Sequence, residues 1–179
     1  MKHTIYYKKL GKIIISQKRI QRKIKDLARE ISDHYSESEV VLICNLKGSF
    51  RFLSDLSSYL TIPTIMDFVA FSSYDGVKSE GKIRIVKDLK IDISGRHVLI
   101  IEDIIDTGIT VDYLIKYLED FKKPKDIQVC VLLDKPSKRK VVVPIHFKGF
   151  EIEDIFVVGY GLDYKEYFRE LNDIRVYNE

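Results

Sequence analysis

The sequence predicts an α/β fold in which a parallel sheet is covered by helices on both faces, and three observations predict it. Continuous apolar runs at residues 40–44, 98–101 and 127–133 have the length of strands buried on both sides. Stretches with apolar residues at helical spacing lie between them. The first and second of these runs each end in a polar loop that opens the next helix, so a strand–loop–helix unit occurs twice, as it does in alternating α/β proteins. Ligands bind such sheets beyond the carboxyl ends of the strands, and the polar loops fall at those ends.

In chain order, Ile20, Ile24, Leu27, Ala28 and Ile31 recur at helical intervals after Ser16 and mark an amphipathic helix. The Lys and Arg residues between 18 and 25 form its solvated face. The run 40–44 ends in Asn45-Leu46-Lys47-Gly48-Ser49, and Phe50, Leu53 and Leu60 follow at helical spacing. An extended run at 65–71 leads into the polar stretch 72–81, and alternation resumes at Ile83 and Ile85, which reads as a long, mobile, hairpin-like loop. After the turn at Ser94-Gly95, the run 98–101 becomes acidic at Glu102-Asp103. A helix then opens near Asp106, with Val111, Leu114, Ile115, Leu118 and Phe121 expected on one face. No repeat or Pro/Gly-rich linker marks a second domain, so residues 1–179 read as one domain. The two ends, roughly 1–15 and 140–179, are expected to form a small hood outside the sheet.

Composition sets the outer limits. With 179 residues, 45% apolar and 32% charged, the chain can bury an adequate core. The longest apolar runs are strand-sized and too short for a bilayer span, and the N-terminus lacks the apolar stretch and cleavage site of a secretory signal. A cytoplasmic location without membrane attachment is therefore expected. Cys44 and Cys130 sit inside apolar runs without metal-site or disulfide spacing and read as buried small hydrophobes. The formal charge of +3 and pI of about 8.7 suit a highly anionic small ligand as well as nucleic acid.

The chemistry concentrates in residues 98–110. A buried strand delivers Glu102 and Asp103, and then Asp106-Thr107-Gly108-Ile109-Thr110 opens a helix. Backbone N–H groups at a helix start, with the dipole and the Thr107 and Thr110 hydroxyls, suit a phosphate monoester. Paired carboxylates suit sugar hydroxyls or a hard cation. This segment resembles the phosphoribosyl pyrophosphate motif of the type I phosphoribosyltransferases, in their hypoxanthine-guanine branch. The resemblance implies that family's parallel-sheet fold. It further implies that Glu102 and Asp103 hold the ribose hydroxyls, directly or through Mg²⁺, while Asp106, Thr107, Gly108, Ile109 and Thr110 wrap the 5′-phosphate.

Further matches follow in order along nearly the whole chain. Leu46-Lys47-Gly48-Ser49 resembles the family's pyrophosphate loop, in which the Leu–Lys peptide is often cis and turns backbone N–H groups toward pyrophosphate. Ser49 stands where some members have a second glycine, a change expected to leave the anion role intact. Ser73-Tyr74 resembles the dipeptide on the loop that closes over the site. Lys135, in Leu132-Leu133-Asp134-Lys135-Pro136, matches the lysine placed against the exocyclic oxygen of the purine. Residues 156–169 resemble the purine and metal segment. There Phe156 would stack on the base, Val157 would offer backbone groups to its edge, Asp163 would bind Mg²⁺ and Arg169 would contact pyrophosphate.

The resemblance thus implies a Mg²⁺-dependent purine-salvage transferase using phosphoribosyl pyrophosphate and a 6-oxopurine, acting as a homodimer or homotetramer without nucleic acid. Asp106 is the expected general base, with Glu102, Asp103 and Asp163 as metal ligands. Two rivals share the fold: a xanthine-guanine enzyme, and an RNA-binding regulator resembling the pyrimidine-operon attenuators. The regulators tend to carry another residue where this chain has Asp106, and the basic helix is the feature that would serve RNA.

Overall fold

The computed structural model describes residues 3–73 and 83–178. Its elements are α1 (His3–Tyr7), β1 (Leu10–Ile15), α2 (Gln17–Tyr35), β2 (Val40–Leu46), α3 (Phe50–Ser57), β3 (Thr64–Ser73) and β4 (Ile83–Lys87). After these come β5 (His97–Ile105), α4 (Ile109–Lys122), β6 (Asp126–Asp134), β7 (Phe147–Glu151), β8 (Val157–Val158) and β9 (Ile174–Tyr177). The main sheet runs β4-β3-β2-β5-β6-β7, parallel except for β4, which pairs antiparallel with β3 as expected across a hairpin. A second, antiparallel sheet of β1-β9-β8 stands apart from it.

The two-sided burial expected of β2, β5 and β6 divides the core by residue parity over residues 40–44, 98–101 and 129–132, and the alternation breaks at the strand ends, where Leu133 joins the layer of Leu132 and Ile105 that of Ile100. Leu42, Cys44, Leu99, Ile101, Cys130 and Leu132 face the layer holding Ile20, Ile24, Ile31, Phe52 and Leu56 of α2 and α3. Val41, Ile43, Val98, Ile100, Val129 and Val131 face Val111, Leu114 and Leu118 of α4. Each strand thus contributes one side chain in two to each layer, the pattern of a sheet sandwiched between helices. Parallel registers such as Leu46↔Ala70 and Ile105↔Asp134 bring the strand ends level, so the loops that follow them open on one edge.

Three details differ from the sequence reading. The helix α3 stops at Ser57, and Leu60 packs half-buried beyond it. Phe121 is 72% exposed with its ring against Tyr117, near the end of α4, where the Gly95 N–H donates to the carbonyl of Lys123 just beyond the helix. Within 140–179, β7 joins the main sheet beside β6, with Phe147 buried against it. The small sheet takes only residues 10–15, 157–158 and 174–177. The basic face of α2 is partly spoken for: Arg19 and Lys23 lie over the Phe150 ring and Lys25 over Tyr59. Among the described residues, no helix is long and apolar enough to cross a membrane.

Asp67, buried in β3, braces the link between β4 and β5. Burial alone would push its carboxyl up, but the N–H groups of Ile91, Phe68 and Lys90 and the Lys87 ammonium outweigh that and hold it below the usual range. A depressed folded pKa stabilises the protein above the unfolded value of about 3.9, and the contribution is lost as pH falls through the folded value. Asp67→Ala is therefore expected to cost roughly 2 kcal/mol at pH 7, with the gap from the native chain closing in strong acid. Urea unfolding of both chains across pH checks this, and a gap independent of pH would contradict it.

Candidate active site

The loops at the carboxyl edge of the sheet enclose an open cleft of about 530 Å³, including the solvent in its mouth, lined by Asn45, Glu102, Asp103, residues 104–108, Thr110 and Val111. Glu102 is buried at the end of β5, where the Asn45 side-chain amide donates to both its oxygens (3.1 and 3.4 Å) and the Ser49 hydroxyl lies 3.4 Å from one of them. Ser49 also reaches Asp103: its hydroxyl lies 3.3 Å from the carboxylate and accepts the Asp103 N–H at 2.9 Å. Desolvation pushes both acids up, Glu102 well above the carboxylate range with the neighbouring Asp103 charge adding to it. Asp103 rises to about 6, restrained by the N–H groups of Ile104 and Asp103, by Ser49 and by the Arg169 charge. Two adjacent, desolvated carboxylates held by neutral donors form a site that favours an incoming cation or hydroxyl donors. The side-chain oxygen of Asn45, buried in the same wall without a partner, is a further acceptor for such a ligand.

The Leu46–Lys47 peptide is cis. Gly48 packs so closely on the acids that a Cβ there would lie 1.7 Å from an Asp103 carboxylate oxygen. Gly161, with φ +100°, in turn lays its backbone against Gly48, where a Cβ would come within 2.1 Å of the Gly48 carbonyl oxygen. Only glycine fits both requirements, and this contact seats the C-terminal segment on the loop at 46–49. On that segment, Arg169 donates to the Gly161 carbonyl at 2.8 Å, pairs with Asp163 at 2.8 Å and reaches Glu166 at 3.4 Å. Lys47 pairs with the same Glu166 at 2.9 Å. The other Asp163 oxygen accepts the Glu166 N–H at 2.8 Å. Arg51 secures the stretch from α3 by donating to the carbonyls of Arg169, Glu170 and Leu171.

On the far side of the cleft, Asp106 accepts the Thr107 N–H, and Gly108 at φ +82° turns the chain into α4, whose first residue, Ile109, is exposed. Lys135 is buried, unlike an ordinary surface lysine. Its ammonium donates to the Ile155 carbonyl at 2.6 Å, and its pKa is lowered by burial and by Lys138 against the opposing charges of Asp154 and Asp106. Phe156 follows two residues later than Asp154 and is 42% exposed. Its ring meets Tyr164 edge-on at 6.0 Å, and Val157 pairs with Val176 in β8 and β9. Ser73 ends β3, and Tyr74 lies outside the described residues. Glu102, Asp103 and Asp163 do not gather into one ligand set: among the described residues no three His, Cys or carboxylate side chains converge as a metal site.

Sequence reasoning missed two contributors. Asn45 was read only as the start of a loop, and Ser49 as a harmless replacement for glycine. Ser49 stands at the N-cap position of α3 but makes no capping bond with its side chain, because its hydroxyl is turned to the acids.

A model of the phosphoribosyl transferase domain matches residues 12–165. The chain is 44% identical over 177 residues to the hypoxanthine-guanine phosphoribosyltransferase of Bacillus subtilis, an alignment covering 98% of this chain and 95% of that one. It is 43% identical to the hypoxanthine phosphoribosyltransferase of Salmonella typhimurium, covering 96% and 94%. The crystal structure of a hypoxanthine phosphoribosyltransferase from Staphylococcus aureus superposes with a TM-score of 0.91 at 35% identity, over 97% of this chain and 95% of that one. With its fold and its sequence matched over nearly the whole chain, it belongs to the phosphoribosyltransferase family.

Proposed function

We propose that this transferase works in purine salvage, moving the 5-phosphoribosyl group from phosphoribosyl pyrophosphate to hypoxanthine or guanine to give IMP or GMP and pyrophosphate. The observation that carries the reading is a cleft with a desolvated acid pair and a helix-opening Thr/Gly loop in its lining, together with a buried lysine at the end of the neighbouring strand whose ammonium is bonded to the carbonyl just before an exposed aromatic ring. The first suits a ribose, the second a phosphate, and the third a flat heterocycle with an acceptor on its rim.

In this account Glu102 and Asp103 hold the ribose hydroxyls, and the N–H groups and hydroxyls of residues 106–110 hold the 5′-phosphate. Lys47, the backbone at Gly48 and Arg169 take the pyrophosphate. Phe156 stacks on the base, the Val157 backbone reads its edge, and Lys135 donates to O6. Asp106 accepts the proton lost from the base as its nitrogen displaces pyrophosphate through an oxocarbenium-like transition state. Ser73 and Tyr74 belong to the loop assigned to closing the cleft against water.

The donor chemistry fits Mg²⁺. Buried carboxylate oxygens suit a hard cation, and Mg²⁺ is usually held by one or two carboxylates together with substrate oxygens and water. Glu102 and Asp103, and separately Asp163, are the side chains that would hold Mg²⁺, which when bound would supply charge neutralisation for the leaving group. The same reading takes the chain as a cytoplasmic single domain with a hood from its two ends, assembled as a homodimer or homotetramer. Incubating it with hypoxanthine, phosphoribosyl pyrophosphate and Mg²⁺ is expected to yield IMP, and excess chelator to abolish the yield. Full turnover in chelator would sink the mechanism.

A further inference from the structure

Arg139 lies outside every motif described above, yet its guanidinium sits against the back of the loop that carries Asp106. Its Nε donates to the Asp106 carbonyl at 3.1 Å and its Nη2 to the Ile105 carbonyl at 3.3 Å, while Nη2 also donates to the Asp134 carboxylate. The two side chains are 15% and 6% exposed, so solvent screens the pair little. The backbone repeats the connection. Lys140 and Val141 donate their N–H groups to the Thr107 carbonyl at 2.9 and 3.0 Å, and the Lys135 N–H donates to the Ile105 carbonyl at 2.9 Å. Gly108 permits the close approach, since a Cβ there would lie 2.5 Å from the Val141 oxygen and 3.0 Å from Arg139 Cδ. Asp134 closes β6 immediately before Lys135.

We propose that Arg139 is a positioning residue for the transfer reaction, tying the carbonyl side of residues 105–106 to the end of β6 and thereby fixing Asp106 against Lys135. The proposal rests on the roles given above to those two residues. Asp106 and Lys135 come from different strands, and the base must fit between them. Their spacing is therefore set by whatever links the two strand ends beyond the last backbone pairing, Ile105↔Asp134. Arginine suits that task because its planar, permanently charged fork serves two carbonyls and a carboxylate together, which the single ammonium of lysine cannot. Removing it leaves the buried Asp134 carboxylate, among the described residues, with the Lys148 ammonium at 3.4 Å, takes the side-chain donor from the Asp106 carbonyl, and leaves the Ile105 carbonyl with the Lys135 N–H. A displacement of about 1 Å at a reacting group can cost 10²-fold in rate. Arg139 bonds only to the carbonyl side of residues 105–106 and not to the N–H groups or hydroxyls assigned to the 5′-phosphate, so turnover is expected to suffer more than phosphoribosyl pyrophosphate binding.

The test compares native chain with Arg139→Ala, Arg139→Gln and Arg139→Lys, measuring amide hydrogen exchange over residues 105–110 alongside kcat and KM. Arg139→Gln retains much of the volume and one donor group should the alanine variant not fold. Exchange at 105–110 is expected to quicken in all three, with kcat for hypoxanthine down by roughly 10–100-fold and KM for phosphoribosyl pyrophosphate changed by less than about 5-fold. The lysine variant should recover only a small part of the loss. Exchange identical to native in the glutamine variant would overturn the proposal. So would faster exchange with kcat unchanged, or a loss confined to KM. Failure of the native chain to use any 6-oxopurine would count against the functional reading instead, and the exchange measurement would still decide whether Arg139 clamps the loop.

Discussion

Adenine is expected to be converted at least about 10⁴-fold less efficiently than hypoxanthine, because a site built around one buried hydrogen bond rejects an analogue that cannot make it. The donor is the Lys135 ammonium. It is buried at the end of β6 and already directed by the Ile155 carbonyl at 2.6 Å, so its remaining hydrogens point in restricted directions. An oxygen at position 6 of the purine receives a charge-assisted bond there, whereas an amino group would turn a donor toward an ammonium. Lys135→Ala should depress hypoxanthine use far more than the residual adenine rate, narrowing the ratio between them. Equal proportional losses for the two bases, measured as kcat/KM, would show that Lys135 supports the fold or the phosphate and not O6.

Asp106→Asn is expected to lower kcat by roughly 10²–10⁴-fold, the usual effect of removing a general base, while phosphoribosyl pyrophosphate binding changes little. Asparagine can still meet the Thr107 N–H through its side-chain oxygen, so the turn that opens α4 should survive. The loss would then belong to proton transfer. Steady-state kinetics together with a substrate titration separate the two effects, and an unchanged kcat would hand the proton to another group or to water.

The parts readable from the sequence were those set by local pattern. Two-sided burial wrote itself into the runs at β2, β5 and β6, and the acid–Thr/Gly order at 102–110 carried the cleft's floor and wall because both come from one continuous segment. What escaped depends on contacts distant in sequence. Nothing near Asn45 or Ser49 announces that their side chains will meet acids more than fifty positions away. Phe121 continues a helical stripe whose spacing says nothing of its ring being exposed near the helix end. The strand β7 is five residues with a glycine at its centre, too short and irregular for periodicity to separate from the hood. The ion pair of Glu166 with Lys47, 119 positions away, is likewise one that local sequence spacing could not foretell.

Transfer of a phosphoribosyl group to a 6-oxopurine in this cleft is decided by a base panel. Hypoxanthine, guanine, xanthine, adenine and uracil are each mixed with the native chain, phosphoribosyl pyrophosphate and Mg²⁺, and nucleotide formation is followed. The account predicts rapid appearance of IMP or GMP with stoichiometric pyrophosphate, and next to no AMP or UMP. Absence of nucleotide from hypoxanthine and guanine, or faster product from adenine or uracil, would contradict it.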